Sequence, residues 1–148
     1  MSDLARSPIH LLHRAGQCAG DIFQTEVKIK GLTPRQFAVL VTVSQNEGLS
    51  QTAIVDRTGI DRSTLADVVR RMQRKGLLVR RRTKEDARAY AVKLTDQGKR
   101  VLKTTQPLAH RVDERILIGA LPATQRDEFI AKLAAIVDTM QRLAPKRA

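Results

Sequence analysis

The chain has 148 residues, 42% of them apolar, which is enough for one domain with its own core and excludes a disordered chain. Only 3% of the residues are aromatic and tryptophan is absent, so we expect helices packed through aliphatic side chains. The formal net charge of +12 predicts a polyanionic partner, and the sequence has no run of roughly 18 apolar residues that would span a membrane.

The first residues and the cysteine content indicate a cellular compartment. Residues 1–17 contain no sustained apolar segment of the kind that forms the core of a signal peptide. The one cysteine, Cys18, cannot form an internal disulfide, which agrees with a reducing compartment. We therefore expect a cytoplasmic protein.

The first two helices are predicted from a shared pattern, an N-cap residue followed by a proline in the first turn. The pattern occurs at Ser7-Pro8 and at Thr33-Pro34. We expect the first helix to reach about residue 29, with Gly31 ending it, and the second to end before Gly48.

Two shorter helices joined by a tight turn follow, an arrangement typical of a helix-turn-helix. Ser50 is the predicted cap of the first, which breaks at Gly59, and Asp61 is the predicted cap of the second. The second helix is predicted over residues 62–75, because its apolar residues recur at the spacing i, i+3, i+4, i+7. These residues are Leu65, Val68, Val69 and Met72.

The opposite side of this second helix is polar and cationic, and it is the predicted surface for reading DNA. At about 100° per residue, this side holds Ser63, Asp67, Arg70, Arg71 and Arg74. The major groove admits a helix, and arginine can donate two hydrogen bonds to guanine. At the helix N-terminus, Ser63 and Thr64 offer donors to phosphates, and Arg62 beside them is a further predicted DNA-binding residue. Asp67 is unfavourable near phosphate and either accepts from a cytosine amino group or orients a neighbouring arginine; both alternatives stay open.

A β-hairpin is predicted directly after this helix, in residues 79–94. Its second strand alternates, with Tyr90, Val92 and Leu94 on one face. A hairpin in this position is a wing whose tip reaches the neighbouring minor groove. Arg88 is the predicted tip residue, and Asp86 is placed to hold it by an ion pair. Phosphate contacts are predicted for Arg80, Arg81, Arg82 and Lys84.

Positive charge is concentrated in this part of the chain. Residues 62–100 hold thirteen Lys or Arg residues and four Asp or Glu residues, which accounts for nine of the net charge of +12. This concentration favours sequence-specific binding of double-stranded DNA over a basic structural protein of the ribosome or chromatin, the alternative that net charge alone allows. The sequence has no phosphate-binding glycine loop, zinc-protease motif, Cys-x-x-Cys or nucleophile elbow, so we expect no enzyme and no cofactor.

The last two helices are predicted from Asp96 to about Gly119, capped by Thr95, and from Pro122 onward. Together with the first helix they carry more apolar surface than one small lobe can cover. A two-fold partner would bury it, so we predict a homodimer.

The run from Ile60 to Thr95 resembles the winged helix-turn-helix of the MarR family of bacterial transcription regulators. The matching residues are Lys75-Gly76 after the recognition helix, Asp86-Ala87-Arg88 in the wing and Leu94-Thr95 after it. The resemblance extends over roughly residues 10–143 and implies a mainly α fold with a small β-hairpin wing. It also implies an obligate homodimer with intertwined terminal helices. Such a dimer would read a pseudo-palindromic operator with half-sites about 34–36 Å apart.

We accordingly predict a single domain over residues 1–148, with a DNA-binding lobe at 33–100 and dimerisation helices at 7–30 and 101–144. The resemblance implies a repressor released from DNA by a small-molecule effector, an aromatic or other amphipathic anion, held between the dimerisation helices and the lobe. By the same analogy the lining residues are His10, His13, Arg14 and Phe37.

A thiol-sensing or metal-sensing regulator of the same fold is the remaining alternative. Some members of the family sense oxidants through a cysteine of the first helix, but Cys18 has no second cysteine nearby and is interpreted as a buried packing residue. His10, His13 and His110 lack a carboxylate or cysteine cluster of recognisable spacing, so no metal site is predicted.

Overall fold

The computed structural model describes residues 3–29, 31–83 and 90–146, which form six α-helices, one short 3-10 helix and three strands. The 3-10 helix is Asp3–Arg6, and the α-helices are α1 (Pro8–Val27), α2 (Pro34–Gln45), α3 (Gln51–Thr58), α4 (Arg62–Arg74), α5 (Asp96–Ala120) and α6 (Ala123–Leu143). The strands are β1 (Leu49–Ser50), β2 (Leu78–Arg82) and β3 (Tyr90–Leu94). The predicted fold class, mainly helical with a small antiparallel wing, is confirmed.

Two compact units make up the chain, residues 1–109 and residues 110–148. The first contains α1 to α4 and the three strands, the second contains α6, and α5 has residues in both. The predicted DNA-binding lobe at 33–100 falls within the first unit, while the predicted dimerisation segments stay a prediction. Within the described residues, no helix combines the length and the apolar character that crossing a bilayer requires.

The N-caps predicted for α1 to α4 are confirmed. In each, the side-chain oxygen of the cap accepts a hydrogen bond from the backbone N–H three residues later, at 2.9 to 3.3 Å. The caps are Ser7, Thr33, Ser50 and Asp61. Each bond satisfies a backbone donor that the helix itself leaves unpaired and contributes about 1 kcal/mol.

The end of α1 differs from its prediction. The helix stops at Val27 because Lys28 adopts a left-handed backbone conformation, with φ of 54°. Gly31, predicted to end the helix, instead has φ of 79° in the turn that leads into α2. The buried residues Val27 and Leu32 stand on either side of this turn and anchor it to the core.

An aliphatic core holds the first unit together, as the composition predicts. Its least exposed side chains are Val39, Leu40, Val43, Ile54, Leu65, Val69, Met72 and Val92. Phe23 of α1 and Phe37 of α2 add a ring contact, with centroids 5.5 Å apart. The apolar stripe of α4 packs into the core. Packing therefore fixes the direction in which the opposite side of the helix faces.

β2 and β3 form the predicted antiparallel hairpin, and a third strand joins them. The order is β1-β3-β2, with Leu49 opposite Val92 and Arg82 opposite Tyr90. Sequence periodicity does not reveal β1, because two residues are too few to alternate. Since β1 leads directly into α3, its pairing attaches the start of the helix-turn-helix to the wing.

The second unit keeps many large apolar side chains exposed. In α6 these are Phe129, Ile130, Ile136, Val137, Met140 and Leu143, and in the last turns of α5 they are Ile116 and Ile118. No residue of α6 is buried within the described chain. An apolar surface of this extent is typical of an interaction site.

Thr95 and Gly98 join the end of α4 to the start of α5. The Thr95 hydroxyl donates to the Gly76 carbonyl and accepts from the Gly98 N–H at 3.0 Å, which confirms it as the cap of α5. The Thr95 N–H donates to the Leu77 carbonyl at 3.1 Å. A Cβ at position 98 would overlap this carbonyl oxygen, so the approach of the two segments requires glycine.

We predict that Gly98→Ala lowers the free energy of unfolding by about 1–3 kcal/mol, the usual cost of forcing extra atoms into a packed contact. Denaturant unfolding of the purified chain measures it. Gly119→Ala, on the same helix with nothing within 4 Å of the added Cβ, is the control and should gain up to about 1 kcal/mol from helix propensity. Equal stabilities of Gly98→Ala and the parent chain would contradict the prediction.

Candidate nucleic-acid interface

α4 has one apolar and one cationic side, as its periodicity predicts. Leu65, Val69 and Met72 are at most 1% exposed. The exposed arginines of the helix are Arg62, Arg70, Arg71 and Arg74. The helix therefore turns its charge outward from the core of the first unit.

The exposed side of α4 is divided between two shallow hollows. The first, of about 660 Å³, is called the reading hollow here. It is lined by Asp67, Arg70, Gln73 and Arg74. The second, of about 520 Å³, lies between α4, the start of α2 and Gly16 of α1, and includes Arg71 as well as Asp67. A helical wheel groups Arg71 with the other arginines, so this division is visible only in the structure.

The N-terminus of α4 is organised around the carboxylate of Asp61. It accepts from the Thr64 N–H at 2.9 Å, from the Thr64 hydroxyl at 2.8 Å and from the Ser63 hydroxyl at 2.9 Å. A phosphate accepts hydrogen bonds and does not donate them, so these hydroxyls would have to leave Asp61 to donate to DNA. Phosphate contacts by Ser63 and Thr64 stay a prediction, as does the contact by Arg62.

The base of the wing holds two arginines against one tyrosine. The guanidinium carbon of Arg80 lies 4.4 Å from the ring centroid of Tyr90, and that of Arg82 lies 5.7 Å from it. Arg82 also donates from Nε to the Tyr90 hydroxyl at 3.2 Å. Arg80 Nε is buried without a hydrogen-bond partner among the described residues. The Tyr90 ring therefore lies against the guanidinium groups of both arginines at the base of the wing.

Tyr90 is a functional candidate that the periodicity of the sequence identifies only as a strand residue. Cross-strand pairing would identify it. Arg82 of β2 lies directly opposite Tyr90, and Arg80 is two residues before Arg82 on β2. Arg81 is exposed on β2. Lys84, Asp86 and Arg88 lie outside the described residues, and their roles stay predictions.

The predicted effector residues lie on α1 and α2 of the first unit. His10 is half-buried, whereas His13 and Arg14 are exposed. Phe37 is half-buried and contacts Phe23. Their binding of an effector stays a prediction.

The interpretation of Cys18 as a buried packing residue is wrong for this chain, because its side chain is exposed. Only Phe23 and Val27, near the end of α1, are buried on that helix, so most of its surface meets no other part of the described chain. In the described ranges, no group of three His, Cys, Asp or Glu side chains could hold a metal ion. His110 instead lies 3.3 Å from Glu114 on the same helix.

A pocket of about 350 Å³ lies between α2, the end of β3 and α5. Its apolar lining comes from Val43, Leu94 and Leu102. Its polar lining comes from Ser44, Glu47, Lys99, Lys103 and Gln106. Two lysines beside an apolar floor suit a small anion with an apolar body. The sequence gives no direct signal for this pocket, which tertiary packing creates.

A family model described as the MarR family matches residues 30–89. The transcriptional regulator HosA of Escherichia coli O157:H7 is 30% identical over 112 residues, which are 76% of this chain and 82% of HosA. The PcaV transcriptional regulator of Streptomyces coelicolor, solved with its natural ligand, is 33% identical with a TM-score of 0.86. That match covers 93% of this chain and 96% of PcaV.

The transcriptional repressor CouR, solved on a 23-mer DNA duplex, is 31% identical to the chain, with a TM-score of 0.82. The match covers 93% of this chain and 96% of CouR. A structure of CouR bound to p-coumaroyl-CoA also matches, with 30% identity and a TM-score of 0.81. Similar proteins thus include one solved with DNA and, separately, with a small molecule.

Two substitutions separate the contacts of Tyr90. Tyr90→Leu removes the ring from both arginines, and it should weaken binding to double-stranded DNA by about two- to fivefold, because an exposed cation–π contact contributes about 0.5–1 kcal/mol. Tyr90→Phe loses only the hydrogen bond from Arg82 and should weaken binding less. Titration of a fluorescent duplex by anisotropy measures both, and equal affinities for all three proteins would refute a positioning role for the ring.

Proposed function

The chain belongs to the MarR family of DNA-binding transcription regulators, and we propose that it is a dimeric repressor that reads double-stranded DNA with α4 and is released by a small anion. As a member of this family it is a regulator of transcription and not an enzyme. The observation that carries the proposal is the reading hollow, where arginines line the exposed side of a helix whose other side is fixed in the core. Cytoplasmic location stays a prediction.

We propose three kinds of DNA contact for the arginines. Arg70 and Arg74 line the reading hollow and are proposed to donate to base edges in the major groove. Arg80, Arg81 and Arg82 form the first strand of the wing and are proposed to contact phosphates. Arg88, at the predicted tip, is proposed to enter the minor groove. The CouR structure on a DNA duplex supports this use of the fold.

A homodimer is proposed from the apolar surface of the second unit. The exposed large side chains of α6 and the last turns of α5 would be covered by the same surface of a second copy. A two-fold pair presents two copies of α4 to half-sites about 34–36 Å apart, one turn of DNA. The operator should therefore be an inverted repeat.

The dimer and its inverted repeat are tested by selection from randomised duplexes. Duplexes of about 30 base pairs are long enough for two half-sites one turn apart. The parent chain should enrich an inverted repeat and prefer it over scrambled DNA by at least about 10³-fold. Arg70→Ala and Arg74→Ala should change the selected bases at a cost of about 1–3 kcal/mol each. Arg88→Ala should lower affinity and any preference for A·T-rich flanks.

Arg6→Ala, which removes an exposed arginine from the 3-10 helix, outside the predicted DNA-binding lobe and dimerisation segments, is the control for net charge in this selection. Variants at positions 70, 74 and 88 that change only the salt dependence would indicate phosphate contacts alone. Enrichment of a single half-site would contradict the dimer. Binding without any sequence preference would favour the basic structural protein that net charge also allows.

The proposed effector is an aromatic or other amphipathic anion. The pocket between α2, β3 and α5 supports this chemistry, because Lys99 and Lys103 stand one helical turn apart beside apolar side chains. The binding of p-coumaroyl-CoA by CouR also supports it. The residues predicted on α1 and α2, His10, His13, Arg14 and Phe37, are the second proposed position.

The proposed switch acts through the spacing of the two DNA-binding lobes. An effector shifts an equilibrium only if it binds one state more tightly than the other. A ligand in the pocket contacts α5 and the end of β3, so it would favour one arrangement of the wing and the long helix. If that arrangement places the lobes out of step with successive major grooves, affinity falls without any change at the DNA surface.

We predict that benzoate, the simplest aromatic carboxylate, or the bulkier p-coumaroyl-CoA releases the chain from its selected duplex in a band-shift titration. Lys103→Gln should raise the concentration needed by about tenfold or more, because hydrogen bonds to charged groups contribute about 1.5–3 kcal/mol. His13→Gln should have that effect instead if the site is on α1. Lys146→Gln, in the exposed segment after α6 and outside both candidate effector sites, is the control. Unchanged binding with both anions would contradict release by this class of effector.

A further inference from the structure

Asp67 is the one acidic residue of α4, and its carboxylate joins two arginines. One oxygen lies 2.9 Å from Nε of Arg71, and the other lies 3.7 Å from Nη2 of Arg70. The Asp67 side chain is 45% exposed, and both arginine side chains are more exposed than that. Exposed pairs of this spacing contribute little to the stability of a fold. Stability therefore does not account for an acid at the centre of this surface.

The position of Asp67 is unusual because it lines both hollows of α4. Arg70 and Arg74 line the reading hollow with it, while Arg71 lines the second hollow, beside the start of α2. The short ion pair holds the Arg71 guanidinium outside the reading hollow. The reading hollow therefore contains Arg70 and Arg74. The Asp67 carboxylate separates them from Arg71.

A carboxylate in this place acts differently on the two modes of DNA binding. Sequence-independent affinity arises when lysines and arginines displace counterions from phosphates. Asp67 lowers this term, because it repels phosphates and occupies Arg71. In the major groove, however, a carboxylate accepts a hydrogen bond from the N4 amino group of cytosine, and a neighbouring arginine donates to guanine.

We propose that Asp67 is a specificity-determining residue that weakens binding to bulk DNA and selects a G·C base pair in each half-site. Its carboxylate accepts from the cytosine amino group, and Arg70, which it already contacts, donates to the guanine. Arg71 remains on the α2 side and contributes little to phosphate binding. The inference rests on the proposed role of α4 as the reading helix.

Asp67→Asn is expected to shift the balance in a measurable way. Affinity for a scrambled duplex rises, and the slope of log affinity against log salt steepens by about one unit, because one more arginine becomes available to phosphates. Preference for the selected duplex over the scrambled one falls by about fivefold or more, the usual effect of losing one base contact. The selected G·C position becomes degenerate.

The experiment compares the parent chain, Asp67→Asn and a matched control in the selection from randomised duplexes and in salt titrations on the selected and scrambled sequences. The control is Asp3→Asn, which removes an exposed carboxylate from the 3-10 helix, outside the predicted DNA-binding lobe and dimerisation segments. Both variants change the net charge equally. Denaturant unfolding of each protein establishes that all three are folded before DNA is added.

The outcomes separate this inference from the proposal on which it rests. A lower preference and a steeper slope for Asp67→Asn, with Asp3→Asn matching the parent chain, support a role in specificity. If both variants behave alike, only net charge matters and the role of Asp67 is refuted. If neither Arg70→Ala nor Arg74→Ala changes the selected sequence, α4 does not read bases and the proposed function fails first.

Discussion

The burial of one side of α4 is the constraint on which the proposed DNA-binding surface depends. Leu65, Val69 and Met72 are almost completely buried, and fully burying a side chain of this size contributes about 1.5–3 kcal/mol. Turning the helix would expose all three. The ion pairs and the cation–π contacts on the surface are each worth a fraction of that energy. Packing therefore sets the direction of the arginines, and electrostatics acts only on a surface already oriented.

Features encoded over a few residues were predictable, and features that depend on the meeting of distant segments were not. Caps such as Asp61 and the apolar spacing of α4 are local, and the structure agrees with them. β1, by contrast, is too short to carry a pattern, and the pairing of Arg80 and Arg82 with Tyr90 needs strand register. The error at Cys18 has the same origin, since burial depends on what covers a helix rather than on the residue itself.

Counting charges along the sequence overstates the charge that the folded surface offers to DNA. Lys75, at the end of α4, donates to the Gly31 carbonyl and, at 3.0 Å, to the side chain of Gln36, which is buried. Its ammonium thus fixes the end of α4 to the turn after α1. Arg71 is paired with Asp67 in a similar way. Both cations are therefore engaged within the protein, and fewer cations than the sequence suggests remain for phosphates.

A protein with a net charge of +12 faces a problem of selectivity that its fold must solve. Each phosphate contact strengthens binding to every sequence alike, whereas a genome offers about 10⁶–10⁹ competing sites. More positive charge on the DNA-binding surface would raise the affinity for non-specific sites by the same factor as the affinity for the operator. When cations form ion pairs and other contacts within the protein, the sequence-independent affinity for phosphates falls. Base contacts then contribute a larger share of the binding free energy. A carboxylate at the centre of a cationic helix is consistent with that requirement, since discrimination depends on the difference between two affinities and not on the size of either.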